Sequence, residues 1–145
     1  MVFVRFNIEF AQNHSVKFVK QLVRVLTRLP LHRLRHHRGG RFRYGTPGTL
    51  ERDIRDLVAG VLSDEGYECR TAGDSTAALS AVDARRPSLV LLDVWLHGSP
   101  MDGLEVLDAI KQREPDLPVI IFSGHGNIDT AVSAVSRGAM DFIEK

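Results

Sequence analysis

Asp93, Ser123 and Lys145 are the residues whose types and order could do chemistry together. Asp93 ends the apolar run of "SLVLLDVWLHG", Ser123 ends that of "LPVIIFSG", and Lys145 ends "MDFIEK". If these runs are strands of a parallel sheet, their carboxyl ends gather on one edge, where open α/β folds place their sites. A carboxylate there can attack a phosphoryl donor and become an acyl phosphate. A hydroxyl can donate a hydrogen bond to a phosphoryl oxygen, and an ammonium can supply a point charge. Each residue alone has a plainer reading. Asp93 would end a strand and open a turn, Ser123 would sit in a turn, and Lys145 would be a chain-terminal Lys. The order of the three gives the set its specificity.

The elements that must position them are regular from residue 51 onward. "ERDIRDLVAGVLSDEGY" carries Ile54, Leu57, Val58, Val61 and Leu62 at helical spacing, with Gly66 as a stop. "YECRTA" is a short strand. "DSTAALSAVDARRP" is a helix opened by Asp74 or Ser75 and closed before Pro87. "SLVLLD" and "LPVIIFSG" are continuous apolar strands of the kind buried on both faces of a parallel sheet. "DGLEVLDAIKQREP" and "NIDTAVSAVSRGA" are helices, and "MDFIEK" is a last short strand. Strands alternating with such helices imply an α/β fold of βαβ units, with right-handed crossovers and a parallel sheet.

The chain of 145 residues is 43% hydrophobic and 26% charged, ordinary for one soluble globular domain. No apolar run is long enough to span a bilayer. Cys69 is the single cysteine, so no internal disulfide forms, which fits a reducing, cytoplasmic setting. Cys69 reads as a small apolar filler near a strand. The net charge of +1 hides an asymmetry. Residues 1–50 carry ten Lys or Arg against one acid, Glu9, whereas residues 51–145 carry nine against seventeen. The first segment is a basic leader. "MVFVRFNIEF" has strand content. "SVKFVKQLVRVLTRLP" sets Val19, Leu22, Val23, Leu26 and Leu29 on one helical face and Lys17, Lys20, Arg24 and Arg28 on the other. "HRLRHHRGGRFRYGTPG" follows without periodicity. The leader admits membrane-surface binding over residues 16–29, phosphate-backbone binding, a solvated basic arm or, least of all, metal binding by His32, His36 and His37.

Residues 51–145 resemble the receiver domain of a two-component response regulator. The stretches that carry the resemblance are "DIRDLVAGVLSDEGY", "PSLVLLDVWL", "DGLEVLDAIK" and "PVIIFSGHGNIDTAVSAVSRGAMDFIEK". The last is similar to receivers of NtrC-like nitrogen regulators. "VWLHGSPMDG" is two residues longer than the common turn and resembles the NtrX type. The resemblance implies a flavodoxin-like (CheY-like) sheet, with Asp93 as phosphoacceptor and a sensor histidine kinase as donor. It implies Ser123 as the switch hydroxyl, Lys145 as the phosphate-binding lysine and Phe142 as the switch aromatic, beside a plain core role for Phe142. It implies Mg²⁺ next to Asp93, and an output domain or partner protein absent from this chain. It allows a homodimer. Direct nucleic-acid binding is not expected of residues 51–145.

Two departures qualify these expectations. The family's acidic pair stands just before "E-x-D-I-R"; here Thr49 and Leu50 hold those positions. Metal ligands are then reduced to Asp93, the backbone carbonyl of Trp95 and, weakly, Glu51, so Mg²⁺ binding should be weak or absent. The apolar first strand is missing too, since "RFRYGTPG" precedes Thr49. The expected sheet lacks this central strand and the last helix. "MVFVRFNIEF" is not expected to fill the gap, because it has no Asp pair and some forty residues separate it from the first helix. A frameshift or wrong start upstream of Glu51 would explain the abrupt onset. The leading expectation is a signalling receiver, not an enzyme with an external substrate. A phosphorylation-defective interaction module, a small hydrolase with Asp93 as nucleophile, and a basic DNA- or membrane-binding protein acting through residues 1–50 are the alternatives.

Overall fold

The structure is a computed structural model that describes residues 1–5, 49–96, 98–123 and 127–144, with residues 4, 5 and 49–54 described by backbone alone. The elements are β1 (Val2–Arg5), α1 (Thr49–Asp64), β2 (Glu68–Thr71), α2 (Ser75–Ala84), β3 (Leu89–Leu92), α3 (Gly103–Arg113), β4 (Val119–Ser123), α4 (Ile128–Ser136) and β5 (Asp141–Glu144). The basic helix expected over residues 16–29 and the Arg- and His-rich stretch after it, with His32, His36 and His37, lie outside the described residues.

The strands form one sheet in the order β2-β1-β3-β4-β5. β3 and β4 run parallel, pairing Leu92 with Ile121, and so do β4 and β5, pairing Ile121 with Phe142. The apolar runs at β3 and β4 are buried along their whole length, as strands covered on both faces must be. On one face α2, α3 and α4 contribute Ala78, Val82, Val106, Leu107, Ile110 and Ala134 to a core with Val90, Leu92, Val119 and Ile121. On the other face α1 packs Val58 and Leu62 with Leu89, Leu91 and Ile120. Each fully buried Leu or Ile stabilises this arrangement by about 1.5–3 kcal/mol. The fold is thus the doubly wound, flavodoxin-like sheet.

One expectation is corrected. The central position, which the sequence leaves without its own strand, is occupied by Val2–Arg5. This strand runs antiparallel to both neighbours. Val2 pairs with Thr71 and Leu91, Phe3 with Arg70 and Val90, and Val4 with Cys69 and Leu89. The physical reason is backbone satisfaction. Without a strand there, β2 and β3 would each bury a row of unpaired N–H and C=O groups. An antiparallel ladder satisfies those groups as well as a parallel one. Alternation completes the fit, because Met1 and Phe3 enter the first core and Val2 enters the second. Phe3 is 1% exposed, and the Arg70 guanidinium lies 5.7 Å from its ring centroid.

Local signals set the helix ends. α1 begins at Thr49, two residues ahead of the expected start. It stops at Gly66, whose φ of +90° suits glycine; Tyr67 N donates to Leu62 O and Gly66 N to Ser63 O, closing the last turn. Asp74 caps α2 by accepting from Ala77 N, and Asn127 caps α4 by accepting from Thr130 N. Asp102 and Glu105 form a capping box at α3, each side chain accepting from the other's backbone N–H at 2.8 Å.

Candidate functional site

Asp93 follows the last residue of β3 and is half-buried. Its carboxylate Oδ1 accepts from Trp95 N at 3.2 Å, a contact that holds the acid against the turn it opens. The backbone beneath it is fixed by close packing. Gly103 N donates to Val94 O at 2.8 Å. A Cβ on Gly103 would lie 2.0 Å from Asp93 O and 2.7 Å from Val94 Cα. Only glycine lets the start of α3 approach the phosphoacceptor candidate this closely. The longer turn after Asp93 is tied to α2, since Ser75 N donates to Ser99 Oγ at 2.8 Å. His97, inside that turn, lies outside the described residues.

Ser123 is the last residue of β4 and is fully buried. From the Leu92–Ile121 pair, Asp93 lies one residue onward and Ser123 two. The structure therefore brings Asp93 and Ser123 to one edge of the sheet on adjacent parallel strands. Phe142 lies on the next strand, half-buried and packed against the first core. Lys145 follows the end of β5 and lies outside the described residues, as does the Glu51 side chain, whose backbone is in the first turn of α1.

A cleft of about 60 Å³ opens beside Asp93, lined also by Met1, Val2, Arg55, Gly73 and Trp95. The reversal of β1 decides what reaches it. An antiparallel strand brings its amino end to this edge, so Met1 and Val2 stand where a parallel strand would end. The Met1 amino group donates to Ala72 O at 2.9 Å, and Arg55 Nη1 donates to the same carbonyl at 3.4 Å. The Arg55 side chain is one-fifth exposed.

The metal that the resemblance implies needs several oxygen ligands, mostly carboxylate. Among the described residues no group of three or more His, Cys, Asp or Glu is placed to hold one. Asp93 is the carboxylate lining the cleft, and a guanidinium shares it. The described residues do not fit a divalent ion. Thr49 and Leu50 fall in the first turn of α1 rather than at a strand end.

Sequence reasoning missed Arg55 and Gly103. The Asp-Gly step before an apolar-periodic helix was the available signal for Gly103. Periodicity put Arg55 among the polar positions of α1 and carried no sign that it lines a cleft with Asp93.

The response regulator receiver domain model matches residues 51–145. The nitrogen assimilation regulatory protein NtrX of Azorhizobium caulinodans is 61% identical over 95 residues, which are 66% of this chain and 21% of that protein. The chain thus spans about a fifth of that relative's length. The crystal structure of the receiver domain of NtrX from Brucella abortus is 65% identical, with a TM-score of 0.64, over 66% of this chain and 79% of that one. A response regulator protein from Burkholderia pseudomallei, with a phosphorylated aspartic acid, calcium ion and citrate, is 26% identical, with a TM-score of 0.61, over 65% of this chain and 54% of that one. Through residues 51–145 this chain belongs to the response regulator receiver domain family and is of the NtrX-like kind.

Proposed function

We propose that Asp93 is the phosphoacceptor of a two-component relay in which a sensor histidine kinase is the donor. A carboxylate oxygen of Asp93 attacks phosphorus, a P–O bond forms as the P–N bond to the donor imidazole breaks, and the imidazole takes up a proton. The Ser123 hydroxyl then donates to a phosphoryl oxygen, and Lys145 adds positive charge. The observation that carries this reading is the shared edge: Asp93 one step past fully buried β3, and Ser123 at the end of its parallel neighbour β4. Gly103 holds the Asp93 backbone in place.

Phosphorylation adds charge and strong acceptors. Movement of Ser123 toward them repacks the face around Phe142 and α4, and an output partner reads the change. Ile128, Val132, Val135 and Met140 leave apolar surface on and after α4 for that contact. We place the receiver over residues 51–145 and the relay in the cytoplasm. Among the described residues no helix is long and apolar enough to cross a membrane.

The test is intact mass after incubation with acetyl phosphate, beside Asp93→Asn. A phosphoryl adduct that disappears in the variant is the expected result. A second reading, an interaction module that takes no phosphate, is favoured by Thr49 and Leu50 at the acidic-pair positions. A folded protein without adduct, with or without Mg²⁺, would select it.

A further inference from the structure

We infer that the cleft beside Asp93 is an oxyanion site whose charge is supplied by Arg55, at the place where a divalent ion would otherwise balance the phosphoryl group. The use assigned to this site rests on the reading of Asp93 as phosphoacceptor.

Arg55 projects from the second turn of α1 into the cleft that Asp93 lines. Its Nη1 is held by Ala72 O at 3.4 Å. Gly73 leaves room for it, since a Cβ there would approach Nη1 to 3.2 Å. Its Nε is buried and has no hydrogen-bond acceptor among the described residues. The Asp56 carboxylate lies 3.7 Å from Nε, too far for a hydrogen bond, and is itself 62% exposed. The guanidinium is thus a cation four-fifths buried with one donor unspent. A buried cation with an unspent donor favours an anion beside it.

The planar guanidinium also matches the chemistry of the incoming group, because it presents several N–H donors to the oxygens of a phosphate. A phosphoryl group on Asp93 puts acceptor oxygens into a space now large enough for a few waters. A divalent cation in the same space would meet one described carboxylate and a fixed positive charge. Among the described residues, the lining of the cleft therefore suits the anion better than the metal. Its ligand class is a small tetrahedral oxyanion, either free or covalently held on Asp93.

Trp95 gives a reporter, since it is the single tryptophan of the chain and lines this cleft. The experiment titrates the full chain with inorganic phosphate in EDTA and follows tryptophan fluorescence, with circular dichroism on each sample. A saturable response is expected, weakened about tenfold or more in Arg55→Gln, the loss typical of a charged hydrogen bond. Should Arg55→Gln fail to fold, Arg55→Lys serves, with an intermediate loss expected because a point charge replaces the fork. Mg²⁺ alone should leave the fluorescence unchanged. Equal phosphate affinity without Arg55, no phosphate response in EDTA, or a saturable response to Mg²⁺ alone would each overturn the inference. Phosphate binding in EDTA together with no adduct from acetyl phosphate, with or without Mg²⁺, would remove the phosphoacceptor reading and leave the oxyanion site standing. An adduct that forms only with Mg²⁺ would do the reverse.

Discussion

Shortening Phe3 to alanine tests whether β1 holds the sheet together. Phe3 is 1% exposed and pairs with Arg70 on one side and Val90 on the other. Phe→Ala in a core costs about 3–5 kcal/mol through lost transfer energy and the cavity left behind. The Arg70 contact with the ring adds about 0.5–1 kcal/mol. A loss of about 4 kcal/mol is expected, a large share of the roughly 5–15 kcal/mol that holds a typical domain folded. Val4→Pro provides an independent arm. Val4 pairs with Cys69 and Leu89, and proline in a strand flanked on both sides removes a ladder donor. It should destabilise by about 1–3 kcal/mol, the cost of a buried ladder partner left unsatisfied. The assay is urea unfolding followed by circular dichroism, with Ile128→Ala, at an 82% exposed position, as a control expected within about 0.5 kcal/mol of the parent. If Phe3→Ala and Val4→Pro both stay within about 1 kcal/mol of that control, β1 does not occupy the centre of the sheet and the reasoning fails.

Two further outcomes follow from the geometry. Gly103→Ala puts a Cβ 2.0 Å from Asp93 O, so α3 or the Asp93 backbone must move. Stability should fall by about 1–3 kcal/mol, and the acetyl phosphate adduct on Asp93 should fall with it; an unchanged adduct would mean that this contact does not position the acid. The Cys69 thiol is pushed up from its ordinary range, chiefly by burial and further by Glu68, with the Ser63 hydrogen bond opposing. Because the folded state holds the proton more tightly, this group's contribution to stability is complete below the unfolded thiol's range and is lost as pH rises through the folded value. Alkylation at neutral pH should be slower in the folded chain than in urea, and equal rates would contradict the burial.

Most of the architecture was legible because the features that carry it are local. The unbroken apolar runs at Leu89–Leu92 and Val119–Ser123 forecast strands covered on both faces, and both are buried throughout. Helical spacing forecast the face α1 buries at Val58 and Leu62, whereas Leu57, on the same spacing, is 37% exposed. The edge holding Asp93 and Ser123 followed from topology alone. What stayed illegible was long-range. No local pattern reveals that the start of α3 touches the Asp93 carbonyl, or that Arg55 turns toward Gly73. The reading of "MVFVRFNIEF" as unsuited to the central slot weighed the length of the intervening chain and the missing acids. It underweighted the demand of two unpaired strand edges.

The slot and the site ask different things of the strand between β2 and β3. The slot asks for backbone groups on both edges and apolar side chains of alternating face. Met1, Val2 and Phe3 supply the alternation whichever way the chain runs. The site asks what stands at the strand's end beside Asp93, and that depends on direction. A parallel strand could deliver carboxylates there from its last residues. The reversed strand delivers its amino end, and its neighbour α1 delivers Arg55. The antiparallel strand brings no carboxylate to that edge, and Arg55 is the charged side chain that lines the cleft with Asp93. The Arg55 titration and the Phe3 unfolding experiment separate these two demands, since one reads the edge and the other the ladder.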